Sequence, residues 1–411
     1  MAVGFAVFAR GAHLRIYWLP VATMVVFLLA GFLISLNHRL LSVRFNLKTD
    51  IPLILFLAWA ALSTLSSINR EETIFEVMRL STMVMVYFLV AYALSPKPDK
   101  KVLAFAIVGI GFLEATYGLS EFIMHRPLFQ ITWVNLPRSI LRVSGTLVNY
   151  NHFAGLMEMC IFLGFGLIMA VGTKERVQSE LLAKRALLAI PCGIMILALI
   201  LSLSRGGWAS FIAGALFFMS IFLWKEHPLW SRVLAIAFMV MILVGAFIMG
   251  VNREPLIKRF ESLETLYREP EQISNDTRIS IWKSTAGMIQ DHPWTGTGWG
   301  TLRSAYPSYR RDYFFHGVEF AHNDYLQIAA GTGLPGLFFF LLFLFMLFRE
   351  GFHVIRTQDQ EFLAKAMPGV MAGLFAILFH ELVDFNLMIP SNAMIFFALA
   401  GIVAARARSQ Q

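Results

Sequence analysis

Long apolar runs separated by short polar stretches fill most of the 411-residue chain. A bilayer core of about 30 Å needs roughly 20 apolar residues per helix. On that measure the runs predict spans near 16–36, 51–68, 74–94, 101–124, 150–172, 186–203, 207–224, 231–250, 325–348, 365–385 and 387–405. The expected fold is an all-α integral membrane protein, a polytopic bundle of 11–12 transmembrane helices. The twelfth would be a poorly marked element within residues 1–15. One long polar island, 251–322, interrupts the pattern, separating N-terminal helices (1–250) from C-terminal helices (323–411) within a single integral domain. The glycines and proline of 331–336 predict a break in the ninth span.

Composition agrees with this reading: 57% of residues are hydrophobic and 15% charged, too apolar for a soluble domain of this length. Short loops rich in Lys and Arg favour the cytoplasm. Groups at Arg39/Arg44/Lys48, Lys97/Lys100/Lys101, Lys174/Arg176/Lys184/Arg185, Lys225/Arg232, Arg349/Arg356/Lys365 and Arg406/Arg408 alternate correctly for that role. They place the tail in the cytoplasm and the 251–322 island on the opposite side. An odd number of spans then leaves Arg10 and Arg15 outside, a conflict that a twelfth element removes. The net charge of +8 reflects orientation signals, so nucleic acid is a poor partner. Cys160 and Cys192 lie in apolar runs, which argues against a disulfide or a thiolate metal site. The first apolar run is too long, and lacks the small-residue cleavage site, of a removable signal peptide.

Polar chemistry concentrates on the expected outer face. The island carries nine basic residues, Arg278 and Arg303 among them, with Trp282, Trp294 and Trp299. Segment 125–149 adds Arg126, Arg138 and Arg142, and the Ser204-Arg205-Gly206-Gly207 turn adds Arg205. Arginines there run against the positive-inside bias, and phosphate binding is a reason for them, since a guanidinium meets pyrophosphate bidentately. The blander readings are an Arg205 that snorkels to headgroups and an Arg278 that is a solvated surface charge. A helix is expected from Asn275-Asp276-Thr277 to Asp291-His292-Pro293, with Arg278 in its first turn. Its stripe of Ile279, Trp282, Ala286 and Ile289 predicts an amphipathic helix lying on the membrane or capping the bundle. Gly296, Gly298 and Gly300 follow in a loop with no preceding strand, so a dinucleotide site is a weak reading.

His322 precedes a helix capped by Asn323 or Asp324. The positive end of that helix disfavours imidazolium, which suits a general base for a sugar hydroxyl. The alternative is a histidine satisfied by interfacial water. His292, His316 and His322 lack metal-ligand spacing. Among intramembrane acids, Glu76 pairs with Arg79 three residues on, Glu114 and Glu121 share one inward face, and Glu158 is isolated. His380, Glu381 and Asp384 cluster near the outer end of the tenth span, with Asp384 nearest the surface.

With these pieces in place the chain resembles the O-antigen ligase and polymerase superfamily of bacterial envelope glycosyltransferases. The resemblance rests on Gly145 to Ala154 (GTLVNYNHFA), Ser204-Arg205-Gly206-Gly207-Trp208, and Asp276-Thr277-Arg278 through Trp282. It continues in His292 to Gly300 (HPWTGTGWG) and His322-Asn323-Asp324-Tyr325-Leu326-Gln327. It runs from about residue 100 to the C-terminus. It implies transfer of a glycan from an undecaprenyl-diphosphate donor at the periplasmic face of the bacterial inner membrane, with no metal or other cofactor. Arg205 and Arg278 would hold the donor diphosphate, His322 would activate the acceptor hydroxyl with inversion, and Asp384 would match an acidic residue of the late spans. Arg142, Asn151, Trp282, Asn323 and Tyr325 join the arginines as substrate-binding candidates. One large external loop leans toward ligation to lipid A core; a repeat-unit polymerase and a protein O-oligosaccharyltransferase share the donor and stay open. A small-anion transporter, working through the intramembrane acids, is the reading from another class. A scaffold in an envelope assembly leaves the outer arginines without a purpose.

Overall fold

The computed structural model describes residues 1–12, 14–37, 45–94, 97–124, 142–171, 178–224, 275–311, 317–357 and 362–406. The predicted span 231–250, residues 251–274 of the island, most of segment 125–149 and His316 lie outside the described residues. The chain is an all-α polytopic membrane protein, and no strand occurs among the described residues. Its helices are α1 (Ala2–Phe8), α2 (Arg15–Asn37), α3 (Leu47–Leu62), α4 (Arg70–Phe88), α5 (Lys97–Met124), α6 (Tyr150–Ala170) and α7 (Gln178–Leu201). There follow α8 (Arg205–Trp224), α9 (Asn275–Asp291), α10 (Leu302–Tyr309), α11 (Asp324–Thr357), α12 (Phe362–His380) and α13 (Pro390–Arg406). Nine among the described residues, α2 to α8, α11 and α12, are long and apolar enough to cross a membrane, and α13 is a shorter apolar helix. The element suspected in residues 1–15 is α1; its 7 residues are too few for a span.

The chain forms two compact units. One comprises Met1–Ala104, Ile273–Met367 and Glu381–Gln411; the other comprises Phe105–Gln272 and Pro368–His380. In the first, α11 packs along α3, and α13 along α4. Asn46 and Asn69 cap α3 and α4 with their side chains, and Arg79 pairs with Glu76 at 2.7 Å as expected.

The predicted break in the ninth span is present. Gly333 has φ 70° and ψ 179° inside α11, a conformation open essentially to glycine alone. Breaking a helix frees backbone groups that must find partners, and the loop after α9 supplies them. Thr297 N donates to Ala330 O at 2.9 Å, Gly298 N to Gly331 O at 3.0 Å, and Leu334 N to Pro293 O at 2.8 Å. Trp59 Nε1 donates to Thr332 O at 2.9 Å. The HPWTGTGWG motif is therefore the plug of the broken helix. At Gly296 backbone meets backbone: a Cβ there would sit 2.3 Å from the Gly331 carbonyl carbon.

Helix α9 has the predicted bounds but a different inner face. Ile279 is 45% exposed, whereas Ile281, Ser284, Thr285 and Met288 are buried. Ile281 and Met288 pack with Leu302, Tyr306, Ala321 and Ala330, so contacts with α10 and α11 set the rotation. Ser284 and Thr285 fit that face because their hydroxyls bond back to Ser280 O and Ile281 O.

In the second unit, α6 is buried along nearly its whole length and packs against α7 and α8. Its Glu158, expected to be isolated, lies 2.9 Å from His380 Nδ1, with both side chains fully buried. Sequence distance hid this pair. The chain reversal between α7 and α8 is also displaced from its predicted place. Leu203 takes φ 54°, while Arg205, Gly206 and Gly207 already belong to the first turn of α8. Gly207 serves packing instead, since a Cβ there would meet that of Ala154 at 2.6 Å.

Candidate active site

His322 sits on a backbone gripped from three elements. The Trp282 indole of α9 donates to Ala321 O at 3.0 Å and His322 O at 3.3 Å. Gln327 of α11 accepts from Ala321 N at 2.7 Å. Asn323 caps α11 by accepting from Leu326 N at 3.0 Å, and its amide donates to Leu382 O at 2.9 Å. These bonds hold His322 at φ 50°, a left-handed conformation that a non-glycine residue keeps only when its surroundings fix it. Trp282 and Asn323, predicted as substrate contacts, thus spend these groups on holding the histidine. Tyr325 follows, half-buried, in the first turn of α11.

Asp384 meets two of the predicted residues. Its Oδ1 accepts from Phe385 N at 2.9 Å and lies 3.8 Å from His322 Nδ1. Its Oδ2 lies 3.7 Å from Arg278 Nη2. The Asp384 side chain is 2% exposed and that of Arg278 20%. At these separations neither contact is a tight hydrogen bond, and the one with Arg278 is a charge attraction. Arg278 Nε is buried with no hydrogen-bond partner among the described residues, so its donor fork keeps capacity for an anion. The His322 ring rests edge-on against Phe385 at 4.7 Å, and Phe385 stacks on Phe320 at 4.3 Å. A cation, a carboxylate and an imidazole, backed by an aromatic wall, can bind an anion and move a proton.

Two further carboxyls stand beside this group and were not singled out from the sequence in this role. Asp324 Oδ2 accepts from Leu387 N at 3.0 Å, and Glu381 Oε2 accepts from Asn386 N at 2.7 Å. Burial, followed by the charge of Asp324, pushes the Glu381 carboxyl well above the usual carboxylate range. The available signal was Asp324 at the helix start, which reads as a cap rather than a buried acid.

The remaining candidates lie in the second unit. Asn149 caps α6. Asn151 accepts from Ser204 Oγ at 2.7 Å, and Ser204 Oγ accepts from Gly207 N at 3.1 Å, joining two of the sequence motifs. Arg142 lies 4.6 Å over the Tyr150 ring. Arg205 is exposed at the head of α8. The acids of a transport reading have internal partners: Glu114 accepts from Thr146 N at 2.6 Å, and Glu121 from the Tyr117 hydroxyl at 2.6 Å. No group of three or more His, Cys, Asp or Glu side chains is arranged to hold a metal ion among the described residues.

Residues 190–341 match the family model Wzy_C, described as O-antigen ligase. The match takes in Arg205, Arg278 and His322 and ends before Asp384. It supports the O-antigen ligase superfamily and, with it, a glycosyltransferase of the ligase or polymerase type. No curated protein matches the chain.

Proposed function

We propose that this chain, whose residues 190–341 match the O-antigen ligase family model, transfers a glycan from undecaprenyl diphosphate to an acceptor hydroxyl. The setting is the periplasmic face of a bacterial inner membrane. The observation that carries this reading is Asp384 lying against both Arg278 and His322. In the reaction the acceptor oxygen attacks the anomeric carbon, the bond from that carbon to the diphosphate breaks, and the lipid diphosphate leaves with the electron pair. Arg278 stabilises the charge developing on the leaving diphosphate. Arg205, exposed at the head of α8, is given the same ligand by its motif. His322 takes the hydroxyl proton on Nε2 while Asp384 faces Nδ1 and fixes the ring. Attack opposite the leaving group gives inversion.

Lipid A core is the acceptor favoured by the single large polar island. A growing polysaccharide or a protein hydroxyl would use the same donor machinery. The test is incubation of the purified full chain with an undecaprenyl-diphosphate glycan and each acceptor in turn. Transfer to lipid A core, lost in Arg205→Ala and Arg278→Ala, is the expected result. Undiminished transfer by both variants overturns the assignment.

A further inference from the structure

Asp324 and Glu381 are buried to 1% and 0% exposure. Each gives one oxygen to a backbone N–H of the turn after α12: Asp324 Oδ2 to Leu387, and Glu381 Oε2 to Asn386. The other oxygens, Asp324 Oδ1 and Glu381 Oε1, are buried and receive a hydrogen from no conventional donor among the described residues. The two carboxyls nevertheless stand side by side, since the N–H groups they hold belong to consecutive residues and Asp324 N itself donates to Glu381 O at 3.0 Å. Two carboxylate oxygens are both acceptors, so a bond between them requires a proton on one. With both ionised, two carboxylates buried side by side would repel.

We propose that Asp324 and Glu381 share one proton, and that this carboxyl–carboxylate clasp is the positioning device that holds Asp384 against His322 and Arg278. Two bonds flank it: Asp324 N donates to Glu381 O at 3.0 Å, and Asn323 Nδ2 to Leu382 O at 2.9 Å. Together they fasten the start of α11 to the turn that carries Asp384. The shared proton leaves the pair with one negative charge instead of two. This matters because Asp384 and Tyr325 interact electrostatically with it, with Arg278 and His322 beyond Asp384. From α4, Arg79 reaches the same turn at Met388 O, 3.3 Å away. The positioning role rests on the transfer site proposed above; the shared proton does not.

The hydrogen-bond inventory makes the idea sharp. In Asp324→Asn the amide oxygen keeps Leu387 N and the NH2 donates to Glu381. Glu381→Gln does the same in mirror image, so each single amide replaces the shared proton. In the double variant both amide oxygens are claimed by backbone N–H groups, and two NH2 groups face each other with no acceptor. The experiment melts full-length wild type, both single amides, the double amide and Asp324→Ala in detergent at neutral pH, and measures glycan transfer by each. The single amides are expected to melt within about 3 °C of wild type, and the double amide more than about 5 °C lower. Transfer follows the same order. A double amide that melts at the sum of the single shifts, or a single amide that melts as low as Asp324→Ala, overturns the clasp. If the melting pattern holds while wild type transfers no glycan, the clasp stands and the transferase reading falls.

Discussion

Arg278 Nη2 lies 3.7 Å from Asp384 Oδ2, so the first turn of the island helix is tied to the turn that follows α12. This contact gives a buried carboxylate its counter-charge and gives the guanidinium a fixed direction. The guanidinium is still not saturated, because its Nε has no partner among the described residues. Such an arginine is aimed and still able to take an anionic ligand.

Arg278→Ala is expected to lower transfer about 100-fold or more, the usual range for removing one donor to developing charge. It also leaves Asp384 buried without its cation, so the melting temperature should fall. Adding Asp384→Asn removes the stranded charge. The double variant should therefore recover its melting temperature and stay inactive. Recovery of transfer along with stability would show that Arg278 serves the fold alone.

His322→Ala should leave binding of the lipid-linked donor intact and reduce turnover by about 100-fold, as for loss of a general base. Donor affinity measured by equilibrium binding, beside single-turnover rates, separates the two. A lost affinity with an unchanged chemical step would move His322 from the acceptor to the donor.

The spans were legible because about 20 apolar residues leave little choice of structure, and nearly every predicted span among the described residues has its helix. The island helix and the break at Gly333 were also legible, the first from its start and stop residues and the second from its glycines and proline. Pairings between distant residues were not. Glu158 read as isolated because His380, its partner, is far along the chain. The inner face of α9 departs from its apolar stripe because neighbours, not apolar content, set its rotation: Ser284 and Thr285 are buried and Ile279 is exposed. Of the candidate site, His322, Arg278 and Asp384 could be named in advance. The pairing of Asp324 with Glu381 could not, since only the folded chain sets these two acids on consecutive backbone N–H groups.

Two glycine substitutions should have opposite effects. Gly333→Ala forces an L-residue to φ 70°, with its Cβ 2.5 Å from the Trp294 carbonyl, and backbone strain of that kind costs about 1–3 kcal/mol before any clash. Its melting temperature and transfer should both drop as the 293–300 plug loses its seat. Gly287→Ala lies in a helix where the nearest atom would be 3.5 Å away, and alanine there should stabilise by about 0.5–1 kcal/mol. Thermal melts of the two variants beside wild type decide it. Equal effects would remove the special role given to the break.

Rising pH should soften the protein through Glu381. Its carboxyl is held well above the usual range, chiefly by burial and then by Asp324. A carboxyl with a raised folded value binds its proton more tightly folded than unfolded. The stabilisation is then fully present below the unfolded value of about 4.3, and is lost as pH rises through the folded value. The groups facing it, Asp324 and Asp384, are themselves acids, so deprotonation adds repulsion from each. Wild type should thus melt progressively lower as pH rises above about 4.3, while Glu381→Gln, with no proton to lose, should melt at a temperature that changes far less. Parallel pH profiles for the two proteins would show that Glu381 binds its proton no more tightly folded than unfolded.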